Sequence, residues 1–297
     1  MIVARKLNKK YGKTRAIIDL DIHVKKGTIH GLIGHEACGK TTVLRILSTL
    51  VRPDSGAVTI NDIPLSKGMQ IRKMIGFVPK TPHLPNDRTA RELVGFAASL
   101  HGIHDKFIID SIMKQTGLEA VADQKLNRFS QVMEKNVAFA MAFVHNPLIL
   151  LLDEPLAGLD PVSQKRVKEF LLASNKTILL TGQNFDAVDG LCNSVTVMKS
   201  GSGIMDGEMA SLRHQIGKGA IEIKLLDVGQ TQKLLFELEK NGAKANVSGE
   251  SIYVHYENDS EIPGIIRIAA NAADITDVRP VKLSIDDIFA KFHPAEK

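Results

Sequence analysis

Two short stretches constrain this chain more than any other. Gly34 to Thr42 reads GHEACGKTT, with the spacing G-x-x-x-x-G-K-[ST]. Leu148 to Pro155 reads LILLLDEP, an apolar run that ends in two carboxylates. Glycines at 34 and 39 permit backbone conformations that aim several N–H groups at phosphate oxygens. A helix beginning at Gly39–Lys40 turns its positive end toward the same anion. In such a loop the lysine, here Lys40, reaches the β- and γ-phosphates, and the hydroxyl, here Thr41, ligates Mg2+. The candidate nucleotide-binding residues are therefore Gly34, His35, Glu36, Ala37, Cys38, Gly39, Lys40, Thr41 and Thr42.

The acidic pair completes the chemistry. A strand ending in Asp153 and Glu154 delivers both to the carboxyl edge of a sheet, where ligands bind in open α/β folds. Asp153 is the candidate metal residue beside Thr41, acting through water, and Glu154 is placed to polarise an attacking water. Burying the pair behind apolar residues is costly without a cation or other partners. Three loop residues are unusual. Ala37 stands where glycine often sits, so a positive φ there is strained. Glu36 puts a carboxylate near the bound anion, which weakens binding unless it points to solvent. Cys38, at a helix start beside Lys40, reads equally as a reactive thiol or as an inert small filler.

Apolar runs at Ile29–Gly34, Ile75–Pro79, Leu148–Leu152, Thr177–Thr181 and Val195–Met198 alternate with helical patterns. This predicts an α/β domain with a largely parallel sheet. Residues from about 89 to 144 read mostly as helix, with Thr89 and Glu92 as a capping box. Asp160-Pro161 opens a further helix. Near residue 216 the pattern changes. Alternation at Ile221, Ile223 and Leu225, a helix over Thr231–Lys240, alternation at Ile252, Val254 and Tyr256, a helical stripe from Ile262 to Ala273 and a last strand from Ile275 are the clearest elements of a unit read as βαββαβ. Ser284 then caps an amphipathic turn bearing Ile285, Ile288, Phe289 and Phe292.

Bulk composition adds limits. A net charge of +5 over 297 residues, without a dense basic block, argues weakly for nucleic acid. Two cysteines fit a reducing compartment. Neither a secretory signal nor a run of roughly 18–20 apolar residues is evident, so any service to a membrane is expected from outside the bilayer. His101, His104 and His83 lack the partners of a metal site. The βαββαβ unit lacks the aromatic-rich strands that RNA binding wants, Tyr253 and Tyr256 lying on opposite faces of one strand.

Residues 1 to about 210 resemble the nucleotide-binding domain of an ABC transporter. The resemblance rests on the two motifs, on Tyr11 before Gly12-Lys13, on AGLDP at Ala157 to Pro161, on KTILLT before Gln183, on GLCNSVTVMKSG after it, and on DGE at Asp206 to Glu208. It implies an α/β P-loop ABC-type domain over 1–215 with an inserted helical subdomain at about 84–145, followed by a small α+β domain over 216–297. The C-terminal unit, with LSIDDIFAKF at Leu283 to Phe292, resembles the extra domain of drug, antibiotic and sodium exporter ATPases. The resemblance also implies ATP and Mg2+ as cofactors and Tyr11 as the adenine-stacking aromatic. Asp160 would be the D-loop aspartate, and Gln183 would stand at the switch position after the late strand, a catalytic candidate together with Glu154. The implied partners are a multi-span membrane permease and a second ATP-binding subunit, with no nucleic acid. The implied place is the cytoplasm, peripheral at the inner face of the cell membrane.

Three departures from the family pattern stand out. The signature LSGGQ reads FSQVM at Phe129 to Met133, so Ser130 is kept while Gln131 and Val132 replace both glycines. These three residues would face a partner's nucleotide, where side chains obstruct close backbone approach. Lys80 replaces a glutamine, and Gln183 replaces a histidine. Loss of a charged transition-state donor costs about 10²–10³ in rate. The leading expectation is an exporter subunit that couples ATP binding and slow hydrolysis to transport. The alternative is a catalytically degenerate partner that regulates an active ATPase.

Overall fold

The computed structural model describes residues 1–183, 188–216, 219–249, 251–256 and 258–281. The amphipathic turn expected from Ser284 to Phe292 lies outside these residues. Contacts divide the chain into two units, Met1–Gly207 and Glu208–Lys297.

The first unit begins β1 (Ile2–Tyr11), β2 (Thr14–Val24), β3 (Ile29–Gly34), α1 (Lys40–Leu47), β4 (Ser55–Ile60), β5 (Ile63–Pro64) and α2 (Gly68–Arg72). It continues β6 (Ile75–Val78), α3 (Ala90–Leu100), α4 (Lys106–Gln115), α5 (Gln131–Phe143) and β7 (Ile149–Leu152). It closes with α6 (Pro161–Ala173), β8 (Thr177–Gly182), β9 (Ser194–Lys199) and β10 (Ser202–Glu208). Among the described residues one sheet has the order β10-β9-β3-β8-β7-β6. Its β9-β3-β8-β7-β6 pairings are parallel, as the apolar runs predict. Every residue of β3, β7 and β8 is buried, because helices or a second layer cover both faces of such a sheet.

A second sheet, β2-β1-β4-β5, is antiparallel and was not foreseen from sequence. Its strands carry lysine, arginine and aspartate on one face, and register shifts in β1 break the alternation. Between the sheets lies α1. Its Val43, Leu44, Ile46 and Leu47 join Ile2, Leu7, Leu20 and Ile60 from one sheet and Leu32, Ile149, Leu151 and Leu179 from the other in one core. The helix that carries the phosphate loop is therefore clamped on both sides. The capping box at Thr89–Glu92 starts α3, and Asp160 caps α6 with Pro161 at its first position.

The second unit runs α7 (Met209–Ile216), β11 (Gly219–Leu225), α8 (Thr231–Lys240), β12 (Lys244–Ser248), β13 (Ser251–Tyr256), α9 (Ile262–Ala272) and β14 (Ile275–Val281). Its antiparallel sheet has the order β12-β13-β11-β14, the βαββαβ topology read from sequence. Ile221, Ile223, Ile252 and Val254 pack on Leu234 and Leu238 of α8 and Ile265 and Ala269 of α9.

A buried histidine gives the first unit a pH dependence. His30 in β3 is 1% exposed, with Nδ1 2.7 Å from Ser194 Oγ and Nε2 2.9 Å from Thr196 Oγ1. Burial pushes its pKa down to about 4, against a weaker upward pull from Asp206. The folded value lies below the unfolded value, so the unfolded chain gains a proton first as pH falls. Stability should be flat above about pH 7 and fall between about pH 6.5 and 4, with a slope approaching ~1.4 kcal/mol per pH unit from this residue. Urea unfolding at pH 7.5, 6 and 5 tests this; His30→Gln should show a shallower loss than wild type.

Candidate active site

The carboxyl ends of β3 and β7 bring the two motifs together. β3 ends at Gly34, where an added Cβ would lie 2.4 Å from Met198 O and 2.6 Å from Cys38 Sγ. Gly39 has φ 108°, and a Cβ there would lie 2.3 Å from Ala16 O. Both positions thus require glycine on geometric grounds. Ala37 takes φ 61°, the strained conformation its place in the loop implies. Lys40 is 4% exposed, and its Nζ donates to Gly34 O at 2.6 Å and His35 O at 2.7 Å. The amine is thereby folded along the loop it must serve.

Asp153 is 1% exposed and held by two hydroxyls. Thr41 Oγ1 donates to Oδ2 at 2.8 Å and Thr181 Oγ1 donates to Oδ1 at 2.7 Å. The Asp153 N–H donates to Val78 O at 2.9 Å, fixing the carboxylate between β6 and β7. Glu154 takes φ 45°, unusual for a residue with a side chain. Its backbone is held at both ends: the N–H donates to Thr181 Oγ1 at 2.8 Å, and the carbonyl accepts from Lys135 Nζ at 2.7 Å. The same lysine donates to Ala157 O at 3.1 Å. Burial lowers the Lys135 pKa, against the pull of Glu154 and Asp153.

Two donors converge on Glu154 Oε2, Gln183 Nε2 at 3.2 Å and Lys80 Nζ at 3.2 Å. Lys80 also lies 3.2 Å from Glu36 Oε1. Burial opposes its charge, but the hydrogen bonds it donates to Glu36 and Glu154 outweigh this and raise its pKa. Glu36 is largely solvent-exposed.

Lys40, Thr41, Asp153, Glu154 and Gln183 therefore form one cluster, and Glu36 and Lys80 extend it. The remaining candidates stand on other elements. Tyr11 ends β1 half-exposed, with Lys9 Nζ 5.5 Å from its ring centre. Ser130 caps α5 by accepting from Met133 N–H at 3.3 Å, and Gln131 and Val132 open that helix. Asp160 accepts from Val162 N–H at 3.0 Å and Ser163 N–H at 3.1 Å. His101 stacks on His145 with ring centres 3.8 Å apart. Sequence reasoning missed Thr181, Lys135 and the pairing of Lys80 with Glu36. A threonine closing an all-apolar strand beside the acidic pair was a usable signal for the first. A lone lysine on a helix with Val137, Ala138 and Phe139 buried behind it was one for the second.

Known proteins resemble this chain in sequence and in fold. The family model described as ABC transporter matches residues 17–157. The Nod factor export ATP-binding protein I of Burkholderia thailandensis is 31% identical over 97% of this chain and 95% of that protein. The daunorubicin resistance ATP-binding protein DrrA2 of Streptomyces coeruleorubidus is 29% identical over 97% of this chain and 93% of that protein. Among solved structures, the dimeric bacterial ABC transporter cassette MJ0796 superposes with a TM-score of 0.66 at 25% identity, covering 70% of this chain and 99% of that one.

Removing one hydroxyl from Asp153 tests the cluster. Thr181→Val leaves a buried carboxylate oxygen and the Glu154 N–H without their partner, which should cost about 1–3 kcal/mol of stability. Thr181→Ser should restore most of it. Urea unfolding of the three proteins at pH 7.5 decides; equal midpoints for wild type and Thr181→Val would show the hydroxyl is dispensable.

Proposed function

This chain belongs to the family of ABC transporter ATP-binding subunits, and on that premise we propose that it hydrolyses ATP to power an exporter. The observation that carries this reading is the 2.8 Å hydrogen bond from Thr41 to Asp153, which joins the phosphate loop to the acidic pair. The loop N–H groups and Lys40 bind the phosphates, and Tyr11 stacks on the adenine. Thr41 and Asp153 suit Mg2+, a hard cation that takes oxygen ligands from one or two carboxylates together with phosphate. A carboxylate 1% exposed whose side-chain hydrogen-bond partners, among the described residues, are hydroxyls is the donor set such an ion neutralises. When bound, Mg2+ offsets charge on the phosphate oxygens.

Glu154 accepts the proton of the attacking water. Its two tethered backbone groups and the Gln183 amide hold it in place, so little reorganisation remains for the reaction. Gln183 donates a hydrogen bond without a charge, which is why turnover is slow. Ser130, Gln131 and Val132 face the nucleotide of a second ATP-binding subunit, and Asp160 lies at the same junction. Among the described residues no helix is long and apolar enough to cross a membrane. The chain acts from the cytoplasm at the inner face of the membrane, with a separate multi-span permease. Export is supported by the full-length similarity to the Nod factor and daunorubicin resistance proteins.

Steady-state ATPase assays with Mg2+ test this. Wild type should turn over slowly, Glu154→Gln should lose at least ~10²-fold, and Lys40→Ala should lose nucleotide binding. Wild type that binds ATP yet matches Glu154→Gln would make the chain a nucleotide-binding partner of another ATPase. ATP affinity unchanged in Lys40→Ala would remove the loop from the site.

A further inference from the structure

A second cleft lies at the edge of the parallel sheet opposite the acidic pair. α5 and α6 end where β7 and β8 begin, whereas Asp153 and Glu154 follow the end of β7. The cleft there has a volume of about 440 Å³ and is walled by α4, the last residues of α5 and the last residues of α6. That volume falls within the roughly 300–1,000 Å³ typical of small-molecule sites.

The apolar lining comes from three helices. Asp105 caps α4 by accepting from the Phe107 N–H at 2.8 Å, which sets Phe107 on the first turn. Phe107 and Ile108 line the cleft while 77% and 38% exposed. An aromatic ring left in water on a concave wall is surface that a ligand can bury. Phe143 of α5 and Phe170 of α6 complete the lining, their ring centres 4.9 Å apart and their planes tilted by 57°.

The charge comes from the entry to the strands. Lys176, one residue before β8, donates from Nζ to Asn146 Oδ1 in the turn before β7. Among the described residues that line the cleft, Lys176 is the one cation and there is no carboxylate. A neutral amide leaves the charge of the amine uncompensated. Burial lowers the Lys176 pKa, as expected of an amine that has lost water without gaining an anion.

This combination selects a chemical class. An organic cation would meet a like charge. A neutral hydrocarbon would cover the rings and strip more water from an unpaired amine. A compact inorganic anion would pair the amine and leave three rings exposed. We propose that this cleft binds a small amphipathic carboxylate, its apolar body against Phe107, Ile108, Phe143 and Phe170 and its carboxylate accepting from Lys176. A ligand so placed joins α4 to α5 and α6. It uses no residue of the nucleotide site, so the two readings stand or fall separately.

Isothermal titration of the full chain with decanoate tests this. Wild type should bind one decanoate with a dissociation constant on the order of 0.1 mM, and decyltrimethylammonium at least tenfold more weakly. Lys176→Gln should weaken decanoate about tenfold, the loss of one charge-assisted hydrogen bond, and Lys176→Arg should keep it. Lys176→Glu should reverse the preference in favour of the cation. Phe107→Ser should weaken decanoate roughly fivefold, and its exposed position should leave the urea midpoint unchanged. Non-saturating uptake of decanoate, equal affinity for the two amphiphiles, or wild-type affinity in Lys176→Gln or Phe107→Ser overturns the proposal. Phe107-dependent binding to phosphatidylglycerol vesicles without saturable decanoate binding also overturns it, in favour of a membrane surface.

Discussion

The site is organised around one buried carboxylate. Asp153 is almost fully removed from water, and both its oxygens accept hydrogen bonds from threonine hydroxyls on two different elements. A negative charge in that setting is tolerable only where its partners are held in good geometry. The surrounding architecture supplies that. β7 carries Asp153 to the sheet edge, β8 brings Thr181, and α1 brings Thr41. Displacing any of the three would leave a charge without compensation, so the sheet order β3-β8-β7 and the seating of α1 are fixed by the same requirement.

The packing around α1 shows how that precision is reached. A helix with buried residues on several sides has little freedom to slide or rotate in a close-packed interior. Here two sheets contribute to one core with it. The phosphate loop can then contain a strained residue, Ala37, and two glycines pressed against neighbouring backbone, because its ends are set by the core.

Much of this was legible in the residues. The parallel strands announced themselves as uninterrupted apolar runs, the caps at Thr89 and Asp160 by their chemistry, and the βαββαβ unit by its alternating periods. The antiparallel sheet was not foreseen: the register shift between Ala4 and Leu7 breaks the alternation of β1, although β2 keeps its two-residue period from Asp19 to Val24. The acidic pair and the loop were readable because their chemistry depends on fixed local spacing. Lys135 and the Glu36–Lys80 contact were not, because each joins residues far apart in sequence, and only the folded backbone sets those distances. Read singly, Glu36 and Lys80 each counted as a defect; in the structure each is the other's partner.

Among the described residues, Lys135 ties α5 to the turn after β7 by way of main-chain oxygens, those of Glu154 and Ala157. Every amino acid carries such an oxygen, so the tie is indifferent to which side chains occupy 154 and 157. The join between this helix and the acidic turn is written in the backbone, and substitutions can accumulate around it without unfastening it. That gives FSQVM, the residues that lead into and open α5, room to diverge while the helix stays docked, and it separates what holds this part of the molecule together from what the molecule does there.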